Sequence, residues 1–159
     1  MGIGLYPGTF DPITLGHADI VARAQRIFTK IYVVIADNPN KKCMFSADER
    51  VEFAKDCLKD YENVEVIKHY GLVIDAVAQT GASTIIRGLR TLSDFDYEFQ
   101  MTFTNRQLND KIDTIFLMTS ARYTNLSSSL VKDLSKYGGN VEKYVSPMVA
   151  AALKSKCSQ

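Results

Sequence analysis

Two hydrophobic periods alternate along the chain. Ile31-Tyr-Val-Val-Ile-Ala36 is a continuous β-branched run, the pattern of a strand buried on both faces. Shorter apolar runs at Ile3–Tyr6, Val64–Ile67, Thr84–Ile86 and Thr114–Met118 read as further strands. Between them the spacing turns helical, at Ala18–Phe28, Ser46 to about Leu58, Val73–Gln79, Asp96–Leu108 and Leu126–Tyr137. Ser46-Ala-Asp-Glu49 forms a capping box, Gly81 and Gly138-Gly139 are stop signals, and Pro147 opens a terminal helix. Asp96–Leu108 is expected to be amphipathic.

About five strands alternating with helices predict an α/β fold, a Rossmann-like doubly wound sandwich with a parallel sheet and helices on both faces. No linker, repeat or low-complexity segment interrupts the series, so residues 1–159 read as a single domain. Ligands of such sheets bind in the crevice at the carboxyl ends of the strands. Chemistry is therefore expected at Pro7–His17, Asp37–Lys42, Tyr70–Val73, Arg87–Arg90 and Thr119–Ser129.

Composition narrows the function classes. The chain has 159 residues, of which 46% are hydrophobic and 23% charged, enough for one real core. A formal net charge of +1 argues against a nucleic-acid reader, which usually carries a basic stripe. No apolar run reaches the length of a membrane span and no secretory signal pattern opens the chain. Cys43, Cys57 and Cys157 are odd in number and contain no Cys-x-x-Cys pair, as expected for reduced thiols in a cytoplasm. With only two histidines, a Cys/His metal site is not expected.

The segment Tyr6-Pro-Gly-Thr-Phe-Asp-Pro-Ile-Thr-Leu-Gly-His17 carries the strongest signal. A strand feeds a Pro/Gly turn, and the turn feeds a helix beginning near Gly16 and His17. Free N–H groups and the dipole of that helix would make an anion site, with Gly8 allowing close backbone approach. Thr9, Thr14 and His17 add side-chain donors. A P-loop is excluded because no Lys follows Gly16, and a dinucleotide fingerprint because Gly8 and Gly16 lie too far apart.

Three other segments fall at expected strand ends. Lys41-Lys42 follows the turn Asp37-Asn-Pro-Asn40, where solvated charge is the commoner meaning of a Lys pair but a phosphate role is open. Arg87-Gly88-Leu89-Arg90 ends a buried run with two guanidinium forks, which either meet phosphates or bridge carboxylates such as Asp94 and Asp96. Tyr123-Thr-Asn-Leu-Ser-Ser-Ser129 opens a helix, and three serines exceed what one N-cap requires. Glu98 by pattern alone sits on a solvated helix face, Leu72 and Val73 in a core, and His69 at the surface.

Thr14-Leu15-Gly16-His17 resembles the Thr-x-Gly-His signature of the nucleotidyltransferase superfamily. The longer string from Tyr6 to His17, with Ile86-Arg-Gly-Leu-Arg90 and Leu126-Ser-Ser-Ser-Leu-Val-Lys-Asp133, resembles the bacterial phosphopantetheine adenylyltransferase family. The resemblance implies transfer of the adenylyl group of ATP to 4'-phosphopantetheine, giving dephospho-CoA and pyrophosphate, with CoA as a feedback ligand. It implies that His17, Lys41 and Arg90 are catalytic, and that Thr9, Lys41, Leu72, Val73 and Arg87 meet phosphopantetheine. ATP would be met by Thr9, Phe10, His17, Gly88, Leu89, Arg90, Glu98 and the run Tyr123, Thr124, Asn125, Leu126, Ser127, Ser128 and Ser129. Mg²⁺ is expected on the ATP phosphates and a hexamer as the assembly. The chain departs from the family pattern at Leu15, where Asn is familiar, and at Thr124, Asn125 and Leu126. The rivals are a sister enzyme acting on nicotinamide mononucleotide or a cytidylyl acceptor, and a non-catalytic nucleotide sensor on the same fold.

Overall fold

A computed structural model describes residues 2–37 and 42–157. The first strand, β1 (Ile3–Gly8), pairs in parallel with β2 (Lys30–Ala36), which pairs with β3 (Val64–His69). On its other side β1 pairs with β4 (Thr84–Leu89), which pairs with β5 (Asp113–Met118). The sheet is thus five parallel strands in the order β3-β2-β1-β4-β5, and the direction of winding reverses between β1 and β4. The α/β doubly wound expectation holds.

The register explains why a crevice opens there. Strand β1 stays paired with β2 from Ile3↔Lys30 to Gly8↔Ile35, whereas it meets β4 only at Gly4↔Thr84 and Leu5↔Ile85. Beyond Leu5 the two strands part. Pro7 lies in this half of a central strand, a position that normally excludes proline because a ladder donor is lost. Here β4 no longer needs that donor, and Arg87 Nη1 donates to the Pro7 carbonyl at 3.0 Å. The strand therefore runs through Pro7-Gly8, where the sequence suggested a turn. Gly8 is required for packing, since a Cβ there would meet the Phe10 ring at 2.8 Å.

Helices α1 (Leu15–Ala24), α2 (Ala47–Cys57), α5 (Ser128–Lys136) and α6 (Pro147–Cys157) contribute to one large core. Ile20, Val21, Phe45, Phe53, Val131, Val149 and Leu153 belong to it. A smaller core on the opposite face joins Leu5, Val34 and Ile85 to Ala76 and Val77 of α3 (Val73–Thr80). Leu5 and Tyr6 enter different cores because successive strand side chains point to opposite faces. The long helix α4 (Leu92–Leu108) packs on α3, β4 and β5.

Several boundaries moved for identifiable reasons. Helix α1 stops at Ala24 and a turn carries the chain to Phe28. Helix α4 begins four residues before Asp96, because the Thr91 hydroxyl accepts from Asp94 N and caps it. It is not the amphipathic helix expected, since Leu92, Phe99, Phe103 and Leu108 are all exposed. Gly81 closes α3 in the left-handed conformation, φ 67°, as the stop signal suggested. Cys43, Cys57 and Cys157 are free thiols, and burial followed by the neighbouring Asp56 pushes Cys57 up to about 11. Among the described residues no helix is long and apolar enough to cross a membrane.

Candidate active site

The parting of β1 and β4 opens a cavity of about 620 Å³. Thr9 and Phe10 enter it after β1, and His17 from the first turn of α1. Arg87, Gly88 and Arg90 come from the end of β4, with Glu98 and Met101 from α4. Leu126 and Ser127–Ser129 close the side formed by α5, and Val73 reaches in from α3. Residues 121 positions apart in the chain, such as Asp11 and Lys132, meet at its margin.

His17 is held by its own helix start. Its Nδ1 accepts from the Thr14 backbone N–H at 3.0 Å, the place a Glu carboxylate or Gln amide oxygen takes in a capping box. That bond assigns the proton to Nε2, so the ring is left as a donor. Phe10 lies edge-on to it, centroids 5.0 Å apart, and Tyr6 edge-on to Phe10 at 5.4 Å. Burial, and then the positive charge of Arg90, pull the imidazole down to about 4, so it is neutral at physiological pH. The sequence allowed a charged donor; the structure supplies a neutral one. Phe10 adopts φ 48°, a left-handed conformation uncommon for an aromatic residue, and its ring covers the space above Gly8.

The N-terminus of α1 is a weaker anion site than expected. Thr14 N is spent on His17, Leu15 N donates to Tyr144 O at 2.8 Å, and His17 N to Thr14 O at 3.0 Å. Gly16 N is the donor of that turn without a protein acceptor among the described residues. At α5 the Ser127 hydroxyl accepts from Leu130 N at 3.0 Å, making it the N-cap. The Ser128 hydroxyl donates to Pro12 O at 2.7 Å. Two of the three hydroxyls are thus committed. The Ser128 and Ser129 N–H groups, in the first turn of α5, have no acceptor within the helix, and both residues line the cavity.

Both arginines already have carboxylate partners. Arg90 forms a fork with Asp94, Nε–Oδ2 3.1 Å and Nη2–Oδ1 3.2 Å, while Nη1 donates to Leu126 O at 3.1 Å. The carboxylate-bridging alternative is therefore what the fork does here. Arg87 Nε lies 3.0 Å from Glu98 Oε2. That contact has the distance of an ion pair but not the angles of a hydrogen bond, and Oε2 is buried without a hydrogen-bond partner. Glu98 lines the cavity instead of the solvated face its helical position suggested.

A second cavity of about 390 Å³ adjoins the first at Thr9, Phe10, His17, Ser128 and Ser129, and extends to Lys42 and Lys132. Leu72 is 57% exposed and Leu89 is buried, and neither lines either cavity. Tyr123, Thr124 and Asn125 also lie outside both linings. The Tyr123 ring instead takes the Arg122 guanidinium at 4.6 Å. Lys41 lies outside the described residues, as do Asn38, Pro39 and Asn40. His69 is half-buried, with Nε2 3.0 Å from Leu72 O.

The sequence reading missed two charged residues at the margin, Asp11 and Lys132, and a third, Arg50, behind it. Asp11, 5% exposed, accepts from Met44 N and Phe45 N at 3.0 Å each and from Lys132 Nζ at 2.7 Å. Burial alone would raise its pKa, but Lys132 and the two N–H donors outweigh that and hold it below the usual value. Arg50 is buried in α2, and inside the charged run Asp48-Glu49-Arg50 nothing in the local pattern marked it out.

Residues 5–134 match the family described as cytidylyltransferase-like. The fold is similar to that of a Vibrio parahaemolyticus protein assigned as a nicotinate-nucleotide adenylyltransferase. The TM-score is 0.73 at 15% identity, over 99% of this chain and 96% of that one. At that identity the likeness speaks for the fold alone. The family match spans most of the chain and runs from Leu5 in β1 through most of α5, with the whole cavity between them, so the chain belongs to the cytidylyltransferase-like family and is a nucleotidyltransferase.

Proposed function

We propose that this nucleotidyltransferase moves the adenylyl group of ATP onto 4'-phosphopantetheine, forming dephospho-CoA and releasing pyrophosphate. The observation that carries the reading is the meeting of two strings, Tyr6–His17 and Ile86–Arg90, across one cavity at the β1/β4 switch point. An oxygen of the acceptor phosphate attacks the α-phosphorus. The bond from that phosphorus to the bridging oxygen breaks, and pyrophosphate leaves with its electron pair. The nucleophile is already an oxyanion, so no general base is required. This agrees with a neutral His17 whose free nitrogen is a donor.

His17 Nε2–H would stabilise charge building on the α-phosphate, as a preorganised donor in a low-dielectric wall. Arg90 would exchange Asp94 for the β- and γ-phosphates, joined by the first-turn N–H groups of α5. Thr9, Lys41 and Arg87 would hold the acceptor phosphate, with Leu72 and Val73 along the pantetheine arm and Glu98 turned to the nucleotide. Gly88, Leu126 and Ser127–Ser129 would complete the ATP site within the cavity. Mg²⁺ would enter with ATP, coordinated by phosphate oxygens and water. The carboxylates in the wall, Asp94 and Glu98, already face arginines, and the described residues contain no cluster of His, Cys, Asp or Glu able to hold a metal. Dephospho-CoA and CoA would occupy the same cavity as product and feedback ligand. A cytoplasmic homohexamer is the proposed form, with the exposed Phe99 and Phe103 of α4 as the surface it would cover.

The test is pyrophosphate release from ATP with four acceptors. Phosphopantetheine should react, while pantetheine lacking the phosphate has no nucleophile. Inorganic phosphate should react poorly, because remote binding energy is used to position the reacting atoms. Nicotinate mononucleotide is the acceptor class named for the structural neighbour. Faster reaction with it than with phosphopantetheine would overturn the acceptor assignment and leave adenylyl transfer intact.

A further inference from the structure

Arg50 is the largest fully buried side chain among the described residues, 2% exposed, and none of its atoms lines either cavity. A desolvated guanidinium is costly unless its donors are bonded, and an apolar side chain of similar length would fill the same volume. Its partners explain its presence. Nη1 donates to Thr9 O at 2.8 Å and to Ala36 O at 2.9 Å, and Nε donates to Phe45 O at 3.3 Å. Nη2 stands 3.4 Å from Asp37 Oδ1, a carboxylate that is 45% exposed.

Those three carbonyls share one property: each lies where regular backbone bonding ends. Thr9 follows β1, Ala36 is the last residue of β2, and Phe45 precedes Ser46, the N-cap of α2. The ladder between β1 and β2 runs out at Gly8↔Ile35. One planar fork therefore closes the carboxyl edge of the sheet where backbone alone cannot. The Phe45 peptide is held from both sides, its carbonyl by Arg50 Nε and its N–H by Asp11 Oδ1. Thr9, whose carbonyl takes the shortest of the Arg50 bonds, lines both cavities.

We propose that Arg50 is a positioning residue for the acceptor side of the cleft, setting Thr9 and the chain entering at Phe45 as one edge without touching substrate. The proposal rests on the adenylyl-transfer reading for its kinetic consequence and on hydrogen bonding alone for its structural one. A Lys at this position keeps the charge and reaches one or two of the carbonyls, but cannot span all of them. The ATP side, built from Arg90 and the start of α5, makes none of the Arg50 contacts.

The experiment compares Arg50→Lys with wild type by steady-state kinetics, calorimetric titration with ATP and amide hydrogen exchange. The expected result is at least a tenfold fall in kcat/KM for phosphopantetheine, with the ATP Kd within twofold. Exchange at the Met44 and Phe45 amides should rise at least tenfold, while the Leu5 amide in central β1 stays as protected as before. Equal losses for both substrates, unchanged kinetics or unchanged exchange at Met44 and Phe45 would each overturn the proposal. Should Arg50→Lys fail to fold, Asp11→Asn loosens the same Phe45 peptide from its other side and must show the same split. If wild type prefers another phosphate acceptor, the ratio is taken with that acceptor. If it transfers to none, the function reading falls and the exchange comparison alone decides the role of Arg50.

Discussion

On the face covered by α1, α2, α5 and α6, Ile20, Val21, Val131, Val149 and Leu153 are at most 1% exposed, and Arg50 and Asp11 are buried with hydrogen-bonded partners. On the face covered by α3 and α4, the buried core is smaller and Leu92, Phe99, Phe103 and Leu108 remain exposed. Phe99 and Phe103 stack edge-on at 4.9 Å, a paired aromatic surface turned outward. The same contrast runs through the cleft. His17 and Thr9 are fixed by groups from the finished face. The carboxylate partners of Arg87 and Arg90 come from α4, through Glu98 and Asp94, four residues apart on that helix. The lesson is that one wall of this cleft is set within the chain, whereas the other hangs on a helix whose outer surface a second copy is proposed to cover.

The comparison can be broken most directly by two truncations. Ile20→Ala removes a side chain from the large core and should cost about 2–5 kcal/mol in urea denaturation. Phe103→Ala, at a site 55% exposed, should change monomer stability by no more than about 0.5 kcal/mol, while light scattering reports a smaller assembly. Similar losses at both sites, with the assembly unchanged, would erase the distinction between the faces.

His17→Ala sharpens the catalytic side of the contrast. The fixed donor should matter mainly to charge present in the transition state, so turnover should fall by about 2.7–4 kcal/mol in barrier height. ATP affinity, by titration, should move far less. Near-normal turnover in this variant would remove His17 from the mechanism.

The same residue makes a pH prediction. Its folded value, about 4, lies below the ordinary imidazole value of 6.5. The unfolded chain therefore takes up the proton first as pH falls, and stability present above about 6.5 is lost progressively towards 4. His17→Asn should flatten that part of the acid limb by on the order of 3 kcal/mol. An unaltered limb in chemical denaturation at a series of pH values would show that the histidine is not held neutral.

The smallest effect is expected at the α4 wall. Asp94→Asn weakens the partner that occupies the Arg90 fork, both groups being partly exposed. ATP should then bind more tightly by about 0.4–1 kcal/mol, the scale of a solvent-screened pair. Weaker binding instead would mean that Asp94 aims Arg90 at the triphosphate instead of competing with it.

What was legible in the chain was local. Ser46-Ala-Asp-Glu49 caps α2 as its spacing implies, with Ser46 N donating to Glu49 Oε2 at 2.7 Å and Glu49 N to Ser46 Oγ at 3.2 Å. The β-branched runs became strands because their pattern suits burial on two faces, which β2 shows from Ile31 to Ile35. The motifs fell at strand ends for the same reason. What misled was also local reasoning, applied where partners are distant. Pro7-Gly8 resembled a turn, and only the divergence of β1 from β4 allows proline inside a central strand.

The sequence by itself determined the alternation of strands and helices, the nucleotidyltransferase superfamily and the order of its motifs, because these depend on periodicity and on short runs of residues. Tertiary structure alone decided which donors remain available. The α1 N-terminus is largely filled by Tyr144 O, Thr14 O and the His17 ring, the Ser128 hydroxyl by Pro12 O, and the Arg90 fork by Asp94. Tertiary structure likewise made Arg50 a clasp for three chain ends. A hydrogen-bond donor has a fixed number of protons, and which acceptor takes each is set by chain segments that approach only after folding.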